Sequence, residues 1–275
     1  MAHGRGTARH FQRFDAFNRG LHLAMMCSFL GLAATGLPLL FSAASWAGWL
    51  SRLVGGFEMA GVLHRFFGVV MLTTFVLHVA RLVHRLVWKK ERLLWGPSSM
   101  VPQPRDLAEF VAHVRWFVGR GPRPAFDHFT YWEKFDYWAV FWGMAIIGGS
   151  GLMLWFPEVF AKVLPGAVFN VALVVHGEEA LLAVGFIFTI HFFNGHFRPE
   201  KFPIDTVIFT GSVPEHELRE ERPGEYERLT REGRLETLVV PPPTAATVRY
   251  GRIVGGLALA TGVVLFLLIL RAVFF

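Results

Sequence analysis

Long apolar runs, separated by polar segments, are the main pattern of the chain. Five of them are long enough to cross a bilayer core of about 30 Å, which takes about 20 helical residues. The last run, IVGGLALATGVVLFLLIL, contains no charged residue. The pattern predicts an all-α integral membrane protein with a four-helix bundle and a fifth transmembrane helix. The predicted spans are residues 20–41, 59–87, 135–156, 167–194 and 252–275.

The polar segments divide the chain into three predicted parts. Residues 1–198 hold the first four spans, residues 199–251 are charge-rich, and residues 252–275 form the fifth span. Within the middle part, EHELREERPGEYERLTREGRLE predicts broken helix in a solvated connection, and PPPT predicts a stiff linker. Between spans 2 and 3, prolines flank a stretch at 105–119 that predicts a short amphipathic helix. No cleavable signal peptide is expected, because the first apolar run is too long for one.

Lysine and arginine alternate from one connection to the next, which predicts the orientation. Four precede span 1, ten lie from Arg81 to Lys134 and nine lie from Arg198 to Arg252. The connection between spans 1 and 2 has only Arg52, and the one between spans 3 and 4 has only Lys162. Positive residues accumulate on the cytoplasmic side, so the N-terminus is expected there and the C-terminus on the periplasmic side. The net charge of +6 therefore follows membrane topology, and we expect no nucleic-acid partner.

Histidines inside two of the spans are the main candidates for functional residues. His64 and His78 in span 2 are 14 residues apart, and His176 and His191 in span 4 are 15 apart. Either spacing gives a rise of about 21 to 22 Å with both rings near one face of the helix. Two such helices could hold two planar groups at two depths, and haem b fits because its iron takes two axial imidazoles. With Cys27 as the single cysteine, a Cys-x-x-Cys-His haem attachment and an iron–sulfur cluster are excluded.

Two other functional interpretations are possible besides a haem protein. A membrane anchor or assembly subunit would need haem only for structure, or no haem at all. A metal transporter could use histidines with Glu178 and Glu179, since polar groups inside a membrane are functional candidates by default. Arg65, next to His64, is the candidate partner for a haem propionate.

Several stretches resemble the cytochrome b (gamma) subunits of respiratory formate dehydrogenase and nickel–iron hydrogenase. They lie within residues 12–200 and are FDAFNRGLHLAMMCSFLGLAATG, GVLHRFFGVVML, YWAVFWGMAIIGGSGLMLWFP and VVHGEEALLAVGFIFTIHFFNGHFRPEKFP. The resemblance implies a di-haem unit in the bacterial cytoplasmic membrane that moves electrons between the quinone pool and a periplasmic redox partner. That partner would be a c-type cytochrome, an iron–sulfur protein or a dehydrogenase subunit.

The resemblance also implies which histidines bind which haem. His64 and His176 would bind the outer haem, and His22 and His191 the inner one. The spacing from His176 to His191 is one residue longer than the family pattern, which indicates a local helix irregularity. His78 competes with His22 for the inner haem. A third haem using His78, His22 or His196 is a further alternative.

Charged residues near the haems give weaker candidates. Glu178 and Glu179 are candidate proton acceptors for a quinol, or else acids at a helix start that face water. The resemblance implies a quinone pocket beside the inner haem, on the cytoplasmic side. Candidate residues there, which could equally be interfacial charges, are Arg81, His84, Lys134 and Asp136.

Overall fold

The computed structural model describes residues 9–275, and five of its helices are long and apolar enough to cross a membrane. This confirms the predicted all-α membrane fold. Span 5 begins earlier than predicted because Thr244 caps it: the Thr247 backbone N–H donates to the Thr244 hydroxyl at 3.1 Å. The observed spans are Ala16–Leu40, Phe57–Val87, Tyr131–Trp155, Ala167–Phe197 and Ala245–Phe274.

Short elements connect these spans. The α-helices are α1 Ala16–Leu40, α2 Ser45–Leu53, α3 Phe57–Val87, α4 Pro104–Phe117, α5 Tyr131–Gly143, α6 Gly149–Trp155, α7 Pro157–Phe160, α8 Ala167–Phe186, α9 Val207–Thr210, α10 Glu215–Glu221, α11 Pro223–Arg231 and α12 Ala245–Phe274. Three π-helical segments, Met144–Gly148, Ile187–His191 and Phe193–Phe197, lie within spans 3 and 4, and a 3₁₀ turn covers Leu235–Leu238. The strands are β1 His10–Gln12, β2 Ser212–Pro214 and β3 Val239–Val240.

The chain forms two compact units. The first, here called the membrane unit, comprises Gly20–Val79, Ala139–Asp205 and Arg252–Phe275. The second, here called the polar unit, comprises residues 9–19 with Ala80–Trp138 and Thr206–Gly251. Both are discontinuous in sequence, so each is assembled by contacts between distant segments.

Spans 1, 4 and 5 supply the buried core of the membrane unit, together with α2. Span 5 packs closely on span 4 at Gly262, where a Cβ atom would lie 2.6 Å from the Phe192 ring. Phe29 of span 1 meets Phe188 edge-on at a centroid distance of 5.9 Å. The fifth span is therefore part of the bundle core rather than a separate tether. The buried residues are Ala33, Leu37, Trp46, Ala47, Val184, Phe188, Phe192, Leu259, Leu265 and Ile269.

A small antiparallel sheet organises the polar unit. Its strand order is β2-β1-β3, and Phe11 in the central strand lies opposite both Val213 and Val239. Phe11 is 1% exposed and packs with Leu218 and Leu229. These strands were not predicted from the sequence. They are two or three residues long and depend on pairing across some 200 positions, which no local pattern reports.

Buried ion pairs hold the charge-rich segment against the rest of the polar unit. The Glu225 carboxylate accepts hydrogen bonds from Arg13, at 3.0 Å, and from the His128 ring. Burial opposes ionisation of Glu225, yet the His128 hydrogen bond and the Arg13 charge hold its pKa at about 2. Arg222 pairs with Glu133 at 2.7 Å in the same unit. Residues 206–251 are thus folded against 127–133, in place of the solvated connection expected.

Candidate functional site

His64 and His176 face each other inside the membrane unit. Their ring centroids are 6.2 Å apart and their planes are inclined by 81°. Two metal–nitrogen bonds of about 2 Å each account for about 4 Å of such a separation. The half-widths of two imidazole rings account for the remainder. With this spacing, His64 and His176 would be able to hold one haem iron between them.

Thr35 of span 1 orients the His64 ring. Its hydroxyl donates to the Gly31 carbonyl at 2.6 Å and lies 3.2 Å from Nδ1 of His64. Since that hydroxyl proton is already used, the oxygen accepts from Nδ1–H. The Leu32 carbonyl is a second acceptor for the same ring. Nε2 of His64 is consequently the nitrogen left for a metal.

Ser150 of span 3 does the same for His176. Its hydroxyl donates to the Ile146 carbonyl at 2.7 Å and lies 3.2 Å from Nδ1 of His176. Nδ1 also donates to the Ile147 carbonyl at 3.0 Å. Acceptors of this kind fix the tautomer of a ligand histidine and raise its basicity. Nε2 of His176 is thus likewise the nitrogen left for a metal.

Glycines admit both rings. A Cβ at Gly36 would lie 2.7 Å from Cε1 of His64, and one at Gly151 would lie 3.0 Å from Cε1 of His176. Real Cβ atoms essentially never approach another atom within 3.0 Å. Gly36 is therefore required by the position of the His64 ring, and Gly151 is nearly so.

This repeated arrangement was not predicted from the sequence. Span 1 supplies Leu32, Thr35 and Gly36 to one histidine, and span 3 supplies Ile147, Ser150 and Gly151 to the other. In each case the order is a backbone carbonyl, a hydroxyl three residues later, and then a glycine. The detectable signal is short: a Thr-Gly or Ser-Gly pair in an apolar run.

The inner histidines form a looser group. His22 lies near enough to His191 and His196 to interact electrostatically with both. The ring nitrogen Nδ1 of His196 accepts from the Asp205 backbone N–H at 3.2 Å. Within residues 9–275, no three or more His, Cys, Asp or Glu side chains are grouped to hold a metal ion. A bis-histidine haem needs only two such ligands.

His78 has a different environment. Its ring meets Phe141 of span 3 at a centroid distance of 6.3 Å and an angle of 66°. Phe141 also contacts Phe75, with centroids 5.1 Å apart. His78 is therefore packed in an aromatic group between spans 2 and 3.

A π-helical segment separates His176 from His191. It covers Ile187–His191, within the stretch where the sequence indicated an irregularity. Each π turn accommodates an extra residue in an otherwise α-helical path. The longer spacing is thereby absorbed within the π-helical segment that ends at His191.

Residues predicted near the outer pair are less constrained. Arg65 is exposed, and its guanidinium lies along its own helix, 3.8 Å from a Cβ placed at Gly61. Glu178 is exposed. Glu179 accepts a hydrogen bond from the Trp142 indole at 3.2 Å. Of these three, only Glu179 has a partner defined within the bundle.

The four residues predicted for a quinone pocket all lie in the polar unit. Arg81 pairs with Asp15 and stacks over Phe17, and His84 stacks on Trp88. Lys134 is 1% exposed and donates to both carboxylate oxygens of Asp106, at 2.7 and 2.9 Å. Asp136 is half-buried. Lys134 is thus a member of a buried ion pair.

Two formate dehydrogenase subunits of Escherichia coli K12 are similar to this chain over 172 residues, or 62% of its length. The cytochrome b556(fdo) subunit is 25% identical, with 72% of its own length covered. The nitrate-inducible cytochrome b556(Fdn) subunit is 21% identical, with 71% covered. No family model matches the chain. The resemblance expected from the sequence is confirmed, and the chain is a membrane protein related to the cytochrome b556 subunits of formate dehydrogenase.

Proposed function

We propose that this protein is a membrane cytochrome b subunit that transfers electrons between the quinone pool and a periplasmic redox partner. Two haem b groups, each with two histidine ligands, would carry the electrons. The single observation that supports this most is the facing pair His64 and His176, with rings 6.2 Å apart and both Nδ1 atoms turned toward acceptors.

The outer haem would be held by His64 and His176. Thr35 and Ser150 orient these two ligands, and Gly36 and Gly151 leave room for their rings. The apolar residues of spans 1 to 4 exclude water, which is how a bundle core favours a bound macrocycle. When bound, haem supplies a one-electron carrier whose potential depends on ligand basicity and burial.

For the inner haem we propose His22 and His191. The electrostatic proximity of His22 to His191 supports this pairing. His78 is the alternative ligand, and His196, which lies close to both His22 and His191, is a candidate for a third haem. A third haem has no comparable facing pair among the contacts defined in residues 9–275.

The partner we propose is a dehydrogenase subunit. Both relatives are named as subunits of formate dehydrogenase. The lysine and arginine pattern supports a chain in the cytoplasmic membrane with a cytoplasmic N-terminus and a periplasmic C-terminus. Quinone as the second reactant rests on the family resemblance, and Arg81 and His84 remain the candidates nearest to an exposed surface.

Spectroscopy of the purified protein tests the proposal. We expect the reduced-minus-oxidised difference spectrum to show the bands of haem b, and the pyridine haemochrome assay to give two haems per chain. A quinol analogue should reduce these haems. Absence of haem would overturn the proposal in favour of a haem-free anchor. If haem is bound but neither a quinol nor a dehydrogenase partner reduces it, the haem has only a structural role.

A further inference from the structure

One face of α4 is apolar and exposed. Its side chains recur at positions i, i+3, i+4, i+7, i+10 and i+11, which is one stripe of an α-helix. All are more than 40% exposed, and Leu107 and Phe117 reach 68% and 69%. This apolar face comprises Leu107, Phe110, Val111, Val114, Phe117 and Val118.

The opposite face of α4 is fixed within the polar unit. Asp106 is 7% exposed, accepts from the Gln103 backbone N–H in a capping box, and pairs with Lys134. His113 is buried against Trp132 and is 3.1 Å from the Tyr131 hydroxyl. The helix therefore cannot rotate its apolar face inward without breaking a buried ion pair.

The position of α4 in the chain places it near a membrane surface. The segment that contains it begins where span 2 ends, at Val87, and ends where span 3 begins, at Tyr131. Both ends are thus at the same face of the bilayer. Trp88 and Trp95 in this segment are 68% and 66% exposed, and tryptophan is enriched at membrane–water interfaces.

The charge of the segment selects the kind of lipid. Residues 88–130 contain seven Lys and Arg against four Asp and Glu. Three of the acids are already paired, namely Glu91, Asp106 and Asp127. The exposed cations, Lys89, Lys90, Arg92, Arg115 and Arg120, are therefore in excess at this surface.

We propose that α4 is an interfacial helix that inserts its apolar face among the lipid acyl chains, while the exposed cations of its segment bind anionic phospholipid headgroups. Amphipathic helices bind membranes by apolar burial together with the attraction of Lys and Arg to anionic lipids. The occupant of the apolar face is the bilayer of the protein's own membrane. The inference is independent of haem and of the electron-transfer proposal.

Depth-dependent fluorescence quenching tests it in the full-length protein. In a Cys27→Ser background, Val111→Cys and Val114→Cys would each carry an environment-sensitive fluorophore. Thr237→Cys, at an exposed site of the same unit, is the matched control. The protein is reconstituted in vesicles of phosphatidylcholine with phosphatidylglycerol, containing a lipid with a quencher high on its acyl chain.

We expect the two α4 labels to be quenched several-fold more by the lipid quencher than the Thr237 label, and several-fold less by aqueous iodide. Replacing phosphatidylglycerol with phosphatidylcholine should weaken lipid quenching of the α4 labels alone. Strong iodide quenching at Val111 and Val114 would show a face in water and overturn the proposal. Protection from both quenchers would show a protein partner on the face and also overturn it.

Equal lipid quenching in the two vesicle types would overturn the part of the proposal that concerns anionic headgroups. Circular dichroism of each labelled variant checks that helix content is unchanged. Neither readout involves haem, so a protein without haem and a helix outside the interface are distinguishable failures.

Discussion

The outer and inner histidines differ in how firmly the protein holds them. His64 and His176 are each fixed by a hydroxyl, a backbone carbonyl and a glycine on a neighbouring span. His22, His191 and His196 are grouped by proximity, and two of the three lie in π-helical segments. A ligand pair with a complete set of orienting contacts has one arrangement, whereas three nearby histidines offer alternatives.

This difference shows which of the candidate haem ligands can be assigned from local sequence. The outer arrangement is a pair of similar half-sites, one from spans 1 and 2 and one from spans 3 and 4. Each half-site is built from helical neighbours three and four residues apart. The inner group depends on the path of span 4 after Ile187, where the helix is irregular.

Loss of an outer ligand should have the largest effect. With His64→Ala or His176→Ala, we expect haem content to fall from two to one per chain, because the iron loses one of two axial bonds. The pyridine haemochrome assay measures this. His216→Ala, at an exposed site of the polar unit, is the control and should retain both haems. Two haems in the His64 variant would contradict the assignment.

Replacing His22 and His78 one at a time decides which of them is a ligand of the inner haem. We expect His22→Ala to lose the inner haem and His78→Ala to keep it, since His22 lies near His191. Redox titration of the purified variants would show one transition for His22→Ala and two for His78→Ala. The reverse result would assign the inner haem to His78 and His191, so that spans 2 and 4 would each supply one ligand to each haem.

Glycine replacement should have an intermediate effect. Gly36→Ala would place a Cβ 2.7 Å from Cε1 of His64, so the ring must move and we expect most of the outer haem to be lost. Gly151→Ala, with a closest approach of 3.0 Å, should lose less. Both are read from haem content after purification.

Gly20→Ala is the control in the same helix as Gly36, because nothing lies within 4 Å of a Cβ there. It should bind haem normally. Equal haem loss in Gly20→Ala and Gly36→Ala would indicate that any Gly→Ala replacement in span 1 disturbs haem binding. It would contradict the view that the His64 ring requires glycine at position 36.

Removal of an orienting hydroxyl should have the smallest effect. Thr35→Val and Ser150→Ala each leave a backbone carbonyl acceptor, so both haems should stay bound. The ligand becomes less basic, which destabilises the ferric state and raises the outer potential. A tenfold change in relative stability corresponds to about 59 mV for one electron, and we expect a rise of at most this size.

Potentiometric titration followed by visible spectroscopy measures this shift. The inner potential is the internal control and should not move. A shift of both potentials, or a fall in the outer one, would show that Thr35 and Ser150 do not act through the histidine rings.

Parts of the fold and of the site could be predicted because their signals are local. Span positions follow from apolar length, and α4 follows from its apolar period between flanking prolines. His64 and His176 could be predicted as candidate haem ligands because they lie inside membrane spans. Thr35 and Ser150 could not, because a hydroxyl in a membrane helix usually bonds to its own backbone, as both also do here.

By itself, the sequence determined the membrane class, the five spans, the exclusion of cysteine-based cofactors and the identity of the candidate histidines. These depend on composition and on distances along one helix. Tertiary structure alone decided that His64 faces His176, that Gly36 is required beside the ring, and that β1 pairs with strands some 200 residues away. Such relations depend on how separate segments pack, and packing between distant segments leaves no periodic trace in the chain.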